Sequence, residues 1–225
     1  MVPREGHLVA AQKVLCYLKT FPKGKILFDT SYPVHHDVNH DDLDWTEFYP
    51  DAEEELPPDM PDPRGKPVRI TVYLDADHAH DVVTRRSVTG ILMLLNNTPI
   101  KWVCKRQKTV ETSTYGSELV AARIATEMVM ALRYQLRMLG IPIDGPAMMF
   151  GDNQSVVLNT TVPSSVLKKK HHACAYHRVR EAIAAKIIKF QHIKSAQNFA
   201  DLLTKPLGGP EFHALVKPYL FRNPK

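Results

Sequence analysis

The sequence predicts a mixed α/β domain: one sheet, part antiparallel and part parallel, with helices on its faces. Three observations carry that expectation. Apolar runs at 68–74, 88–95 and 100–104 follow one another with no helical pattern between them, as in an antiparallel meander. A long helical pattern, Tyr115–Leu139, comes next. After it, short strands and helices alternate from 147 to 193, a spacing that requires parallel crossovers.

Residues 5–20 read as an amphipathic helix, because Leu8, Ala11, Val14, Leu15 and Leu18 recur at helical spacing. Pro22 and Gly24 end it, and 25–29 is a short strand candidate. From 31 to 66 the composition turns acidic and proline-rich, which reads as a linker or surface loop. The expected organisation is therefore an appendage at 1–30, a linker at 31–66 and the main domain at 67–222.

Within the main domain, Asn96-Asn97 suits a hairpin between the second and third strands. Ser113 or Thr114 can cap the long helix and Gly140 can end it. A fourth strand at 147–150 precedes a short helix at 154–159. A basic loop leads to a helix near 172–185, a fifth strand at 187–193, and terminal helices around 199–203 and 210–219.

At 225 residues with a net charge of +5, the chain suits one domain plus an appendage and a polyanionic partner. Cys16, Cys104 and Cys174 are too widely spaced for a zinc motif or a disulfide framework and read as small buried thiols. No stretch approaches the ~20 apolar residues of a membrane span, and the start lacks the apolar core of a signal peptide. The expectation is a soluble, intracellular protein.

Four acids stand out. Asp75 closes an apolar strand, Glu118 lies on the first turn of the long helix, Asp152 follows a second strand, and Asp201 begins the last helical region. Carboxylates are hard oxygen ligands, and a cage of them can hold two divalent ions for phosphodiester hydrolysis. Singly, each acid is also an ordinary turn former or helix cap. Asp77 would face the same side as Asp75 in an extended segment, so the residues alone do not separate the two.

Several segments resemble the ribonuclease H domain of copia-type retrotransposon polyproteins. They are Tyr73-Leu-Asp-Ala-Asp-His-Ala79, Thr84-Arg-Arg-Ser-Val-Thr-Gly90, Pro99-Ile-Lys-Trp102, Lys105-Arg-Gln-Lys-Thr-Val110, Gly151-Asp-Asn-Gln-Ser155 and Ala200-Asp-Leu-Leu-Thr-Lys-Pro-Leu207. The N-terminal helix resembles the end of the preceding reverse transcriptase and its connection. The resemblance implies a ribonuclease-H-like fold, a five-stranded mixed sheet flanked by helices with an N-terminal helical appendage. It implies cleavage of the RNA strand of an RNA–DNA hybrid, leaving 5′-phosphate and 3′-hydroxyl ends. It puts the metal ligands on Asp75, Glu118, Asp152 and Asp201, favours Asp75 over Asp77, and implies two Mg2+ ions, with Mn2+ as a substitute. The implied partners are the hybrid and the reverse transcriptase domain of the same polyprotein; the implied place is the cytoplasm, virus-like particles included. The pattern also departs from the family: His78 and His80 replace the common Trp and Gly, Ala173 replaces Asp, and 195–198 lacks the histidine many cellular relatives carry.

Candidate nucleic-acid contacts surround the acids. Lys168, Lys169 and Lys170 with His171 and His172 form the densest basic cluster, and Lys105 and Lys108 lie in a second basic stretch. Trp102, between Lys101 and the basic residues 105–108, reads as a core residue, with the lining of a backbone groove as the alternative. Thr112, Ser113 and Thr114 can meet phosphates or cap the helix, and Asn153 and Gln154 can reach the sugar edge, where the 2′-OH distinguishes RNA. His35-His36-Asp37 and His40-Asp41-Asp42 read as solvated loop residues rather than a zinc site. A catalytically silent nucleic-acid-binding fragment is the alternative reading.

Overall fold

A computed structural model describes residues 4–35 and 43–221. The histidines and aspartates at 36–42 lie outside the described residues. The main sheet has five strands: β2 (Ile70–Asp77), β3 (Val88–Leu95), β4 (Thr98–Arg106), β5 (Ala147–Gly151) and β6 (Ile188–His192). Their spatial order is β4-β3-β2-β5-β6. β2, β3 and β4 pair antiparallel, while β5 runs parallel to β2 and β6 parallel to β5. This is the five-stranded mixed sheet with flanking helices of a ribonuclease-H-like fold.

The elements follow from local chemistry. The β2–β3–β4 meander is rich in β-branched and apolar residues, and Asn96 takes φ +53° in the two-residue link between β3 and β4. Helix α2 (Thr114–Met138) starts at Ser113, whose hydroxyl accepts from the Gly116 N–H. It stops where Gly140 adopts φ +68°. Asn153 caps α3 (Gln154–Thr161) in the same way.

The strand period divides the core. Ile70, Val72, Leu74 and Ala76 of β2 face α2 and α4 (Ala173–Ala184), and Ile91 and Met93 of β3 join them. Tyr73, Leu92, Leu94 and Phe150 face the other way, against Ala200, Phe199 and Tyr219. The short α5 (Asp201–Thr204) lies on that second face, followed by α6 (Gly209–Val216).

The N-terminal helix α1 (Glu5–Thr20) has the expected span, yet buries no residue among those described. The next strand is shorter than expected: β1 covers Lys25–Ile26 and pairs with β7 (Leu220–Phe221). The acidic, proline-rich segment runs along the domain surface. Trp45 is buried, and Glu54 accepts from Arg133 Nε at 2.6 Å and is also paired with Arg137.

Two assignments change. The three cysteines are free and exposed rather than buried, Cys104 lying on the edge strand β4. Trp102 is 54% exposed on β4, because the edge strand has no neighbour beyond it to cover the ring. No helix among the described residues is long and apolar enough to cross a membrane.

Candidate active site

The carboxyl ends of the two central strands supply the first two acids. Asp75 is paired across the sheet with Gly90 and is 2% exposed. Gly90 decides what can lie over it, since a Cβ there would come within 2.6 Å of Thr204 Cγ2 and 3.0 Å of the Ala200 carbonyl. With no side chain in the way, α5 settles on β3, and the Thr204 hydroxyl donates to Asp75 Oδ2. Asn198, fully buried, donates to the Leu74 carbonyl at 2.9 Å and accepts from the Ala200 N–H at 3.1 Å. This staple holds the chain before α5 against β2.

Asp152 follows β5 and accepts from Ser195 Oγ at 2.6 Å. Glu118 reaches in from α2, and its Oε1 accepts from the Ala76 N–H at 3.2 Å. It sits at the fifth residue of α2, one residue further in than the sequence pattern implied, because the helix begins at Thr114.

Carboxylate oxygens of Asp75, Glu118 and Asp152 lie within 4.8 Å of one another. Asp201, 4% exposed, stands beside them and is joined to the group through Lys205, whose Nζ is 2.7 Å from Asp201 Oδ1 and 3.5 Å from Asp75 Oδ2. Asp77 turns away into a pair with His80 at 2.6 Å.

Crowding leaves an electrostatic signature. Burial, then the charges of Asp75 and Asp152, push Glu118 well above the ordinary carboxylate range. Asp201 is pushed up to about 6 by burial; the Lys205 hydrogen bond opposes the shift and Asp75 adds to it. Lys205 itself is held above its usual value: burial acts against its charge, but the contact with Asp201 and the neighbouring aspartates outweighs it. Glu118 Oε2 is buried with no hydrogen-bond partner. An orphaned carboxylate oxygen among like charges fits a hard divalent cation, which would accept its lone pair and neutralise the cluster.

Most of the other sequence candidates are exposed. Thr112 and Thr114 are exposed at the start of α2, whereas Ser113 spends its hydroxyl on the cap. Gln154 is exposed and Asn153 half-buried, with its carbonyl oxygen accepting from the Val156 N–H. Lys105 is exposed on β4, Lys108 in the turn after it, and Lys168, Lys169 and Lys170 on the loop before α4. Sequence reasoning missed Thr204, Lys205 and Ser195 as partners of the acids, and Asn198 as the staple to β2. Only the spacing of Asp201 and Lys205, one helical turn apart, offered a signal.

No family model matches the chain. It is 28% identical over 149 residues to the retrovirus-related Pol polyprotein from transposon RE2 of Arabidopsis thaliana, covering 66% of this chain and 10% of that protein. It is 32% identical over 133 residues to the corresponding polyprotein from transposon TNT 1-94 of Nicotiana tabacum, covering 59% and 10%. The chain thus spans about a tenth of the length of the curated relatives it matches. Among solved structures, the N-terminal RNase H domain of Rv2228c from Mycobacterium tuberculosis aligns with a TM-score of 0.46 at 14% identity, over 67% of this chain and 97% of that one. The chain is thus similar in sequence to a region of copia-type retrotransposon Pol polyproteins, and its sheet has the strand order and directions of a ribonuclease-H-like fold.

Proposed function

We propose that this domain is a metal-dependent ribonuclease H that hydrolyses the RNA strand of RNA–DNA hybrids during reverse transcription. The observation that carries the reading is the convergence of Asp75, Glu118 and Asp152, with their carboxylate oxygens within 4.8 Å and one oxygen of Glu118 unsatisfied. These three would hold Mg2+, with Mn2+ as a substitute, and Asp201 would complete a second position. Bound divalent ions supply an activated water and offset charge on the attacking and leaving oxygens.

The protein's own groups prepare that step. Thr204 and Ser195 fix the rotamers of Asp75 and Asp152 by donating to them. Lys205 supplies positive charge while the acids await a cation. Thr112, Thr114, Lys105, Lys108 and Lys168–Lys170 are exposed polar and basic groups suited to phosphates. Asn153 and Gln154, beside Asp152, suit the ribose edge. The remaining partner is the reverse transcriptase domain of the same polyprotein, for which α1 offers exposed Leu8, Val14, Leu15 and Leu18. The proposed place of action is the cytoplasm, within virus-like particles.

A second reading, binding without turnover, is favoured by Lys205, which lies where it competes with a cation. Labelled RNA–DNA hybrid incubated with the chain and Mg2+ separates the two. Cleavage that is lost in Asp152→Asn supports the nuclease; binding without cleavage selects the second reading.

A further inference from the structure

A second cluster of ligating side chains lies outside the carboxylate centre. Glu111, in the turn before α2, and His171 and His172, in the one-turn helix before α4, bring one ligand atom each within 4.8 Å of one another. His172 is 4% exposed and sits under the Tyr115 ring, with centroids 5.7 Å apart. His172 Nε2 is 3.1 Å from Glu111 Oε2, and its Nδ1 is buried with no hydrogen-bond partner. The two imidazoles are in contact edge to face, with centroids 4.0 Å apart.

A simple ion pair between His172 and Glu111 would not need the second imidazole, and two imidazolium rings at that separation would repel. Two neutral imidazoles and one carboxylate converging on one point are a ligand set for a borderline metal ion. Gly116 keeps the space beside them free, because a Cβ there would lie 2.8 Å from Glu111 Oε2 and 2.9 Å from His172 Nε2. His171 is exposed, so the cluster has a path to solvent.

We propose that Glu111, His171 and His172 form a binding site for a Zn2+-class ion, distinct from the carboxylate centre, with a fourth position open to water. The ion clips the turn carrying Thr112–Thr114 to the loop carrying Lys168–Lys170. Three protein ligands with one open position is an arrangement Zn2+ commonly takes, whereas Mg2+ prefers an oxygen-only shell. The clip fixes the spacing between two segments otherwise joined only through side chains.

Co2+ titration of the full chain in excess Mg2+ tests the site, because Mg2+ occupies carboxylates and leaves imidazoles free. Expected is one Co2+ per chain with the visible absorption of a low-coordinate nitrogen–oxygen site, displaced by Zn2+, and a Zn2+-dependent rise in melting temperature. Both signals should weaken on the order of 100-fold in affinity in His171→Ala and in Glu111→Gln. Neither residue fills the hydrophobic core, so circular dichroism should show both variants folded, whereas His172→Ala risks the packing under Tyr115. The same Co2+ signal in Asp152→Asn confirms independence from the other centre. Absence of bound Co2+, or an unchanged signal in both His171→Ala and Glu111→Gln, overturns the proposal and assigns any binding to other histidines.

Discussion

Two buried charged regions of this protein are built on opposite terms. Arg180, 2% exposed, is satisfied within the fold: Nη1 donates to the Val162 carbonyl at 2.8 Å and Nη2 to the Pro163 carbonyl at 2.6 Å. The guanidinium also lies 4.8 Å from the centroids of both Trp45 and Tyr176. Nearby, Glu54 is gripped by Arg133 and Arg137; burial alone would raise its pKa, but the two guanidiniums hold it below the usual value. At the other end of the sheet, among the described residues, four acids share Lys205 and one oxygen of Glu118 has no hydrogen-bond partner. A buried charge that serves the fold finds its counter-group inside the chain. The acid cluster is short of positive charge, and that deficit is what a bound cation would fill.

The largest effect should come from the deficient region. Asp152→Asn should lower cleavage of labelled hybrid by about 10²–10³-fold, the equivalent of several kcal/mol of transition-state stabilisation. Its denaturation midpoint should stay the same or rise, because a like charge is removed. A fall in stability matching the loss of activity would make the acid a fold residue like Glu54.

Arg180→Leu should do the reverse. It strands carbonyls of Val162 and Pro163 and removes the ring contacts, so the unfolding free energy should fall by roughly 3 kcal/mol. Activity per folded molecule should persist. Unchanged stability would break the contrast between the two regions.

The pH dependence distinguishes them further. Asp201 moves from 3.8 to about 6 on folding, and a raised acid binds its proton more tightly in the folded state. The stability it contributes is therefore full at low pH and is lost as pH rises from about 3.8 to about 6 in the metal-free protein. Glu118, also raised, extends the loss upward. Mg2+ binds the ionised acids, so it should raise the melting temperature near neutral pH and have little effect below about pH 5. Equal shifts at both pH values would remove the acids from metal binding.

The smallest effect belongs to the surface. Lys105→Ala with Lys108→Ala should change stability by less than about 0.5 kcal/mol while weakening hybrid binding. The salt dependence of binding should lose about one unit of slope per phosphate contact removed. An unchanged slope would take these lysines off the nucleic-acid path.

Much of the sheet was legible in advance. The apolar runs ending at Asp75 and Leu95 needed little beyond strand propensity, and Ser113 and Gly140 bracketed α2 through capping chemistry. Trp102 was misread because aromatic burial depends on what lies beside a strand, and nothing in a local pattern marks β4 as the edge. The acidic segment read as a linker from its composition, yet Trp45 and Glu54 dock through partners more than 75 residues away in the chain.

The sequence by itself determined the strands, the long helix and the order of the four acids, because these follow from near-neighbour periodicity and residue type. Tertiary structure alone decided that Gly90 admits α5, that Thr204 donates to Asp75, and that Lys205 stands among the carboxylates. Those outcomes depend on register and on contacts between residues 129 apart, such as Asp75 with Thr204. Distances of a few ångströms between side chains brought together by folding set both charge balance and metal affinity, and no local pattern encodes them.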